Sequence, residues 1–296
     1  MPENIETLIY PASVATVDAA PMPSVDGGDC PTCAAGSTAS SYVYAIGKIG
    51  ARFPSLSIEK EFAQATGRAD TKGMTDSQAM HDVVSRRENR YLARQLCWVM
   101  TIEGLETYIL VPREAADLEL LIEALRAEPK RSDVDVVVGV MGPIAPSTMC
   151  NGLTVPIVAF DQIYSFDVAS FIEAIPRPDS IAADQFKAVA EEVFNRVIQV
   201  ADNAGSADGH RALNYIAMRY PALYAAVAQA YARDSSLTAV EVQPSILSGT
   251  RQVVDVVFSF SHRSTGVTEK QFVRIDVTGE FPFLVTKLSP RYDIVT

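Results

Sequence analysis

Runs of alternating apolar and polar residues fill about the last sixty residues of the chain, and only short turns separate them. Alternation with a period of two places every second side chain on one face of a β-strand. Turns such as Ser264-Thr265-Gly266 and Thr278-Gly279-Glu280 are too short for the crossover that parallel strands require. The C-terminal part is therefore predicted to be an antiparallel β meander.

The segment Ile175-Pro176-Arg177-Pro178 is the strongest internal boundary, because closely spaced prolines interrupt helices and central strands. After it, shorter helices are predicted from Leu213 to Arg219 and from Pro221 to Ala232. Before them, apolar residues recur at helical spacing at Phe186, Val189, Ala190, Val193, Phe194, Val197, Ile198 and Ala201. The sequence thus places helices between the boundary and the meander.

The part before the boundary mixes both types of element. Strands are predicted at Tyr42–Ile46, Leu96–Ile102, Tyr108–Val111, Val134–Val140 and Val155–Phe160. One helix is predicted through about Thr66 with Ser57 or Ser55 as its cap, a second through Arg86 with Thr75 as its cap, and a third at about Ala115–Ala127. Because Cys97 alternates with Leu96 and Trp98, it is expected on the strand face opposite to them.

These patterns predict an α+β fold, since helices are grouped before strands rather than alternating with them. Residues 1–40 are rich in proline, glycine and small polar residues, so we expect a flexible N-terminal arm. Residues 41–176 are expected to form an N-terminal mixed α/β lobe. Residues 177–296 are expected to form a helical segment followed by the antiparallel β meander.

Charge and hydropathy exclude several classes of function. The net charge of −11 argues against a broad nucleic-acid surface and against docking on an anionic membrane. The chain has no apolar run of the roughly 18 residues that a transmembrane helix needs, and no signal-peptide pattern at its N-terminus. The protein is therefore predicted to be cytoplasmic, where thiols remain reduced.

Motifs for nucleophilic catalysis and phosphate binding are missing from the sequence. The three histidines, His81, His210 and His262, are accompanied by no G-x-S-x-G motif. The scattered glycines form neither a P-loop nor a G-x-G-x-x-G motif after a strand. We therefore expect neither a Ser-His-acid site nor a nucleotide site.

Two pairs of acidic residues are close in sequence. Glu103 and Glu106 bracket a tight turn, and Asp133 and Asp135 share the polar face of a predicted strand. A general acid and base need one desolvated carboxyl group, and neither location predicts one. Both pairs are interpreted as solvated side chains.

The four cysteines give the clearest chemical signal. Cys30-Pro31-Thr32-Cys33 has the spacing of a zinc knuckle, whereas a redox motif would stand at a helix start behind a strand. Because a closed zinc site needs four ligands, we predict structural zinc bound by Cys30, Cys33, Cys97 and Cys150. Other interpretations remain open: free thiols on the arm, a zinc shared by Cys30 and Cys33 of two chains in a homodimer, and Cys97 and Cys150 as small buried side chains.

Six phrases occur in order along the chain from about residue 40 to its end: Ser41–Gly47, Arg90–Trp98, Glu103–Tyr108, Ala212–Pro221, Ser235–Val240 and Glu280–Thr286. Together they resemble the domain of unknown function at the C-terminus of PatA/PatG-type cyanobactin maturation proteases. The resemblance implies a pathway, the maturation of ribosomally made macrocyclic peptides, rather than an activity. In that family the domain usually follows a subtilisin-like protease, whose catalytic Asp, His and Ser are not expected here.

The leading hypothesis is a non-catalytic, zinc-stapled accessory protein that binds a precursor peptide or the modifying and protease enzymes of the pathway. One alternative is a peptidase or peptide-modifying enzyme with a site built from Arg94, Glu103, Glu106 and His262. Another is a purely structural dimerisation module.

Overall fold

The computed structural model describes residues 42–67 and 74–292. The predicted N-terminal arm, with Cys30 and Cys33, lies outside these residues. The described residues belong to one compact unit. They contain a mixed sheet followed by helices and an antiparallel sheet, so the predicted α+β class is confirmed.

Strands β1–β5 and helices α1–α5 precede the two-proline segment. The strands are β1 (Tyr42–Arg52), β2 (Cys97–Ile102), β3 (Leu105–Pro112), β4 (Asp133–Ile144) and β5 (Pro156–Asp167). The helices are α1 (Leu56–Gly67), α2 (Asp76–Ser85), α3 (Arg90–Ala93), α4 (Leu118–Ala124) and α5 (Val168–Glu173). Thr75 caps α2 as predicted, because its side-chain oxygen accepts a hydrogen bond from the Gln78 N–H at 3.3 Å.

The five strands close into a barrel in the order β1-β2-β3-β5-β4. Strands β3 and β5 run parallel, and the other neighbours run antiparallel. Trp98 and Met100 pack in a core that the barrel shares with α1–α4, whereas Cys97 belongs to a small separate apolar cluster. The predicted alternation along β2 is confirmed.

The part after the boundary consists of helices followed by strands. The helices are α6 (Ala183–Ile198), α7 (Asp208–Arg219) and α8 (Pro221–Ala232). The strands are β6 (Ser235–Pro244), β7 (Val253–His262), β8 (Thr268–Asp276) and β9 (Phe283–Arg291). They form an antiparallel sheet in the order β6-β7-β8-β9, which confirms the meander.

Helix α6 buries its apolar stripe in a core that also contains helices α5, α7 and α8 and the antiparallel sheet. Val189 and Val193 of α6 share a core with Val256 and Phe258 of β7. Burial of these side chains removes apolar surface from water, at about 25 cal/mol per Å². The stripe predicted from 3.6-residue spacing is therefore the face of α6 that is buried in this core.

Two predicted helices differ from the observed ones. Helix α7 begins at Asp208 rather than at Leu213. The helix predicted from Ala115 to Ala127 is a short 3₁₀ turn followed by α4. Arg126 adopts a left-handed conformation with φ of 52°, which ends the helix there.

Strand β1 contacts both helix α7 and the segment that precedes this helix. The Asn214 side-chain amide donates to the Tyr44 carbonyl at 2.8 Å, and the Tyr44 N–H donates to the Gly205 carbonyl at 2.9 Å. A Cβ atom at Gly205 would lie 2.5 Å from the Tyr44 carbonyl oxygen, so this approach requires glycine. Among the helices in the described ranges, none combines the length and apolar composition needed to cross a membrane.

Candidate functional site

Cys97 and Cys150 are joined by a disulfide bond, with their Cα atoms 5.6 Å apart. Cys97 begins β2, and Cys150 begins the turn Cys150–Gly152 between β4 and β5, called here the cysteine turn. Only 7% of Cys97 and 1% of Cys150 is exposed. The structure therefore brings two of the four predicted zinc ligands together, but as a bonded pair.

This bond corrects the expectation that the two thiols are reduced and ligate zinc. A metal needs the thiolate form, and a sulfur in a disulfide cannot supply it. Cys30 and Cys33 lie outside the described residues, so zinc binding by their motif stays a prediction. Within residues 42–67 and 74–292, no three His, Cys, Asp or Glu side chains are grouped as metal ligands.

A cleft of about 250 Å³ lies beside the disulfide and is bounded by α3, β2, β3 and the cysteine turn. Most of its wall is apolar, with contributions from Leu96, Leu110, Val111 and Met149. Arg94, at the end of α3, is exposed and is the one charged side chain among the described residues that line the cleft. Such a wall suits an apolar group, and Arg94 suits an acidic group beside it.

A second group of polar side chains surrounds two carboxyl groups. Arg113 follows β3, and its Nη1 atom lies 2.5 Å from Asp161 Oδ2 and 3.6 Å from Glu280 Oε2. Asp161 is part of β5, and Glu280 lies in the connection between β8 and β9. One guanidinium group thus faces two acids from distant parts of the chain.

Arg211 of α7 positions Glu280. It is fully buried, and its guanidinium donates to the carbonyls of Val277 at 2.6 Å, Gly279, and Glu280 at 3.2 Å. Its Nη1 atom also lies 3.6 Å from Asp208 Oδ1. These contacts fix the segment Val277–Glu280, called here the arginine-held turn, so that Glu280 faces Asp161.

The surroundings shift the pKa values of the two carboxyl groups in opposite directions. Burial and the Asp161 carboxylate raise the pKa of Glu280 to about 7. The hydrogen bond with Glu280, together with Arg113, lowers the pKa of Asp161. Near neutral pH, Glu280 is therefore partly protonated and can donate to the ionised Asp161, which is the arrangement of a general acid.

The interpretation of Asp133 and Asp135 as solvated is wrong. Only 8% of Asp133 and 4% of Asp135 is exposed. Asp135 accepts hydrogen bonds from the Ile49 N–H at 2.8 Å and from Ser165 Oγ at 2.6 Å, and burial raises its pKa. Arg126 binds Asp133 at 2.9 Å. Asp135 thus joins β4 to β1 and β5, and both acids lie at the edge of a cleft of about 370 Å³.

The dispersed residues of the enzyme alternative are not assembled in the described structure. Arg94 lines the cleft beside the disulfide, and Glu103 lies in the β2–β3 turn with φ of 50°. Glu106 pairs with Arg52 at 2.6 Å, as an exposed side chain. His262 Nδ1 lies 3.3 Å from Ser264 Oγ in the exposed turn after β7. No described contact joins two of the four.

Comparison with known proteins gives one family and one fold. The profile of a family described as the PatG domain matches residues 42–243. A solved structure described as a PatG domain of unknown function has a TM-score of 0.66 and 23% sequence identity, and the alignment covers 85% of this chain and 99% of that chain. Among curated proteins, none matches the chain. The profile match confirms the resemblance found in the sequence, and it includes every residue that lines the cleft beside the disulfide.

Proposed function

The chain belongs to the PatG domain family, and we propose that it is a non-catalytic accessory protein of ribosomal-peptide biosynthesis that binds a precursor peptide in the cytoplasm. The pathway is the one implied by the resemblance to cyanobactin maturation proteases. The observation that carries the proposal is the mainly apolar cleft beside Cys97 and Cys150.

The size and charge of the cleft favour a peptide side chain over a free small molecule. Its volume of about 250 Å³ lies below the roughly 300–1,000 Å³ of pockets that enclose drug-sized ligands. An apolar side chain of a longer chain fits such a space while its backbone remains outside. Arg94 at the edge offers a charge-assisted hydrogen bond to a carboxylate of the same peptide. The expected ligand is therefore an apolar residue with an acidic residue near it in sequence.

A binding experiment tests the proposal directly. A fluorescein-labelled cyanobactin-type precursor peptide is titrated with the purified protein, and anisotropy is measured. Val111→Glu places a carboxylate at the cleft wall. It should weaken binding by about tenfold or more, because the bound peptide would remove water from this charge. Val267→Glu is the matched control, because Val267 is exposed in the β7–β8 turn and should bind like the wild type.

Two results would overturn the proposal. One is a wild-type protein that does not bind the peptide, and the other is a Val111→Glu variant that binds it unchanged. Capture of the pathway's modifying or protease enzymes in place of the peptide would support the other form of the accessory hypothesis.

A second candidate function is a peptide-modifying or peptidase activity at Asp161 and Glu280. The observation that favours it is the grouping of both carboxyl groups around Arg113, where the pKa of Glu280 is raised to about 7 and that of Asp161 is lowered. Mass spectrometry of the precursor peptide after incubation with the protein tests it. A modified or cleaved product that disappears with Glu280→Gln would establish the activity, and an unchanged peptide would exclude it for that substrate.

The proposed zinc staple and homodimer are tested together. Ligation by Cys97 and Cys150 excludes their disulfide, so the arrangement compatible with the bond places zinc between Cys30 and Cys33 of two chains. Metal analysis and light scattering should then give about half a zinc ion per chain and a dimer. A zinc-free protein would remove the staple from the proposal.

A further inference from the structure

The cysteine turn lies on the outside of the barrel, in an apolar cluster of its own. Cys97, Ile109, Ala145 and Cys150 form the buried part of this cluster, apart from the larger cores of the barrel and the sheet. Met149 packs against them from the turn. Because the cluster is small, apolar burial alone contributes little to holding the turn against β2.

The backbone of the cysteine turn is unfavourable. Cys150, Asn151 and Gly152 have φ values of 50°, 55° and 87°, so three successive residues are left-handed. Side chains disfavour this conformation, and Cys150 has none of the local hydrogen bonding that helps asparagine adopt it. Within the turn, the Gly152 N–H donates to the Met149 carbonyl at 3.0 Å. Such a conformation persists where the surrounding structure fixes it, and the bond to Cys97 supplies that constraint.

We propose that the Cys97–Cys150 disulfide is a redox switch that holds the cysteine turn in place and thereby controls the adjacent cleft. In the oxidised protein, Met149 and Cys150 form part of the cleft wall. In the reduced protein, the turn leaves its left-handed conformation and that part of the wall is lost. The effect on peptide binding rests on the proposed function, whereas the movement of the turn does not.

The chemistry of the switch requires a dithiol as reductant. A dithiol thiolate attacks Cys97 Sγ, because Cys97 is the more exposed partner and lies on the cleft wall. The S–S bond breaks, a mixed disulfide forms, and Cys150 leaves as a thiolate that takes up a proton. The second thiol of the reductant then attacks the mixed disulfide and releases Cys97. The protein gains two electrons and two protons, and the dithiol becomes a disulfide.

Hydrogen exchange of the full chain without peptide tests the switch. Dithiothreitol should accelerate exchange of the amides in residues 145–155 by about tenfold or more, while β7 serves as the unchanged reference. Cys97→Ser should show the fast exchange without reductant. A Cys30→Ser/Cys33→Ser variant should respond like the wild type, which separates the switch from the N-terminal motif.

A further variant separates the strained turn from the bond itself. Asn151→Gly removes a side chain from a left-handed position, so the reduced turn should stay closed longer and its acceleration should shrink. Equal exchange in the oxidised and reduced wild type would overturn the proposal. Redox-dependent exchange without peptide binding in either state would support the switch and overturn the proposed function. Peptide binding together with redox-independent exchange would support the proposed function and overturn the switch.

Discussion

The cysteine turn and the arginine-held turn are each held in place by a residue that is distant in sequence, but the type of interaction differs. A covalent bond from Cys97 holds Cys150–Gly152, whose backbone is left-handed at three successive residues. Hydrogen bonds from the buried Arg211 hold Val277–Glu280, and Glu280 lies with Asp161 beside Arg113. We therefore expect the cysteine turn to respond to reductant and the arginine-held turn to respond to pH.

Removing the arginine should have the largest effect. Arg211→Met leaves the buried Val277 carbonyl and the partly buried carbonyls of Gly279 and Glu280 without their donor, so we expect a loss of about 3–5 kcal/mol in the free energy of unfolding. Urea denaturation measures it. Lys187→Met is the matched control, because its pair with Glu173 is exposed and should contribute less than about 1 kcal/mol. Equal losses in both variants would show that Arg211 does not hold the turn.

Breaking the disulfide should have the next largest effect. Reduction of the wild type should lower the free energy of unfolding by about 2–4 kcal/mol, because a cross-link restricts the unfolded chain. A Cys97→Ser/Cys150→Ser variant should be insensitive to dithiothreitol, and Cys30→Ser/Cys33→Ser should keep the wild-type response. If reductant destabilises the first variant as much as the wild type, the effect lies elsewhere.

The pH dependence of stability isolates the arginine-held turn. The pKa of Glu280 is raised from 4.5 to about 7, so the native protein binds an extra proton between these values. The stability from this group is fully present below pH 4.5 and is lost as pH rises through about 7, by roughly 1–3 kcal/mol. Glu280→Gln keeps a donor toward Asp161 without titrating, so its stability should lack this decrease. Parallel pH profiles of the two proteins would contradict the raised pKa of Glu280.

The smallest effect is expected at Asn151, where substitutions test the cost of the left-handed backbone of the cysteine turn. Asn151→Ala should be less stable than Asn151→Gly by about 1 kcal/mol, because alanine is the poorer residue at φ of 55°. Thermal unfolding of the oxidised proteins measures the difference. Equal melting temperatures would mean that the turn relaxes at little cost.

Local sequence patterns predicted the helices and strands well. They predicted poorly which residues from distant parts of the chain are in contact. The stripe on α6, the Thr75 cap and the alternation around Trp98 depend on residues close in sequence, and the structure confirms each. The acidic pair Asp161 and Glu280 had no such signal, since Asp161 lies in a strand and Glu280 beside a turn of a different sheet. The sequence did indicate the disulfide in part, because Cys97 and Cys150 are the two cysteines outside the C-x-x-C motif. They were predicted to be zinc ligands because reduced thiols were expected.

The sequence by itself determined the α+β class, the meander, the long helix and the family, because periodicity, turn length and ordered motifs are properties of consecutive residues. Only the tertiary structure decided that Cys97 meets Cys150 and that Asp135 is buried. Barrel closure brings Cys150 against β2, and both faces of β4 are covered: Val136 and Val138 pack toward the C-terminal helices and sheet, while Val137, on the face of Asp135, packs with α1–α4. Alternation along a strand defines its two faces, but whether the polar face meets water depends on what the rest of the chain packs against it.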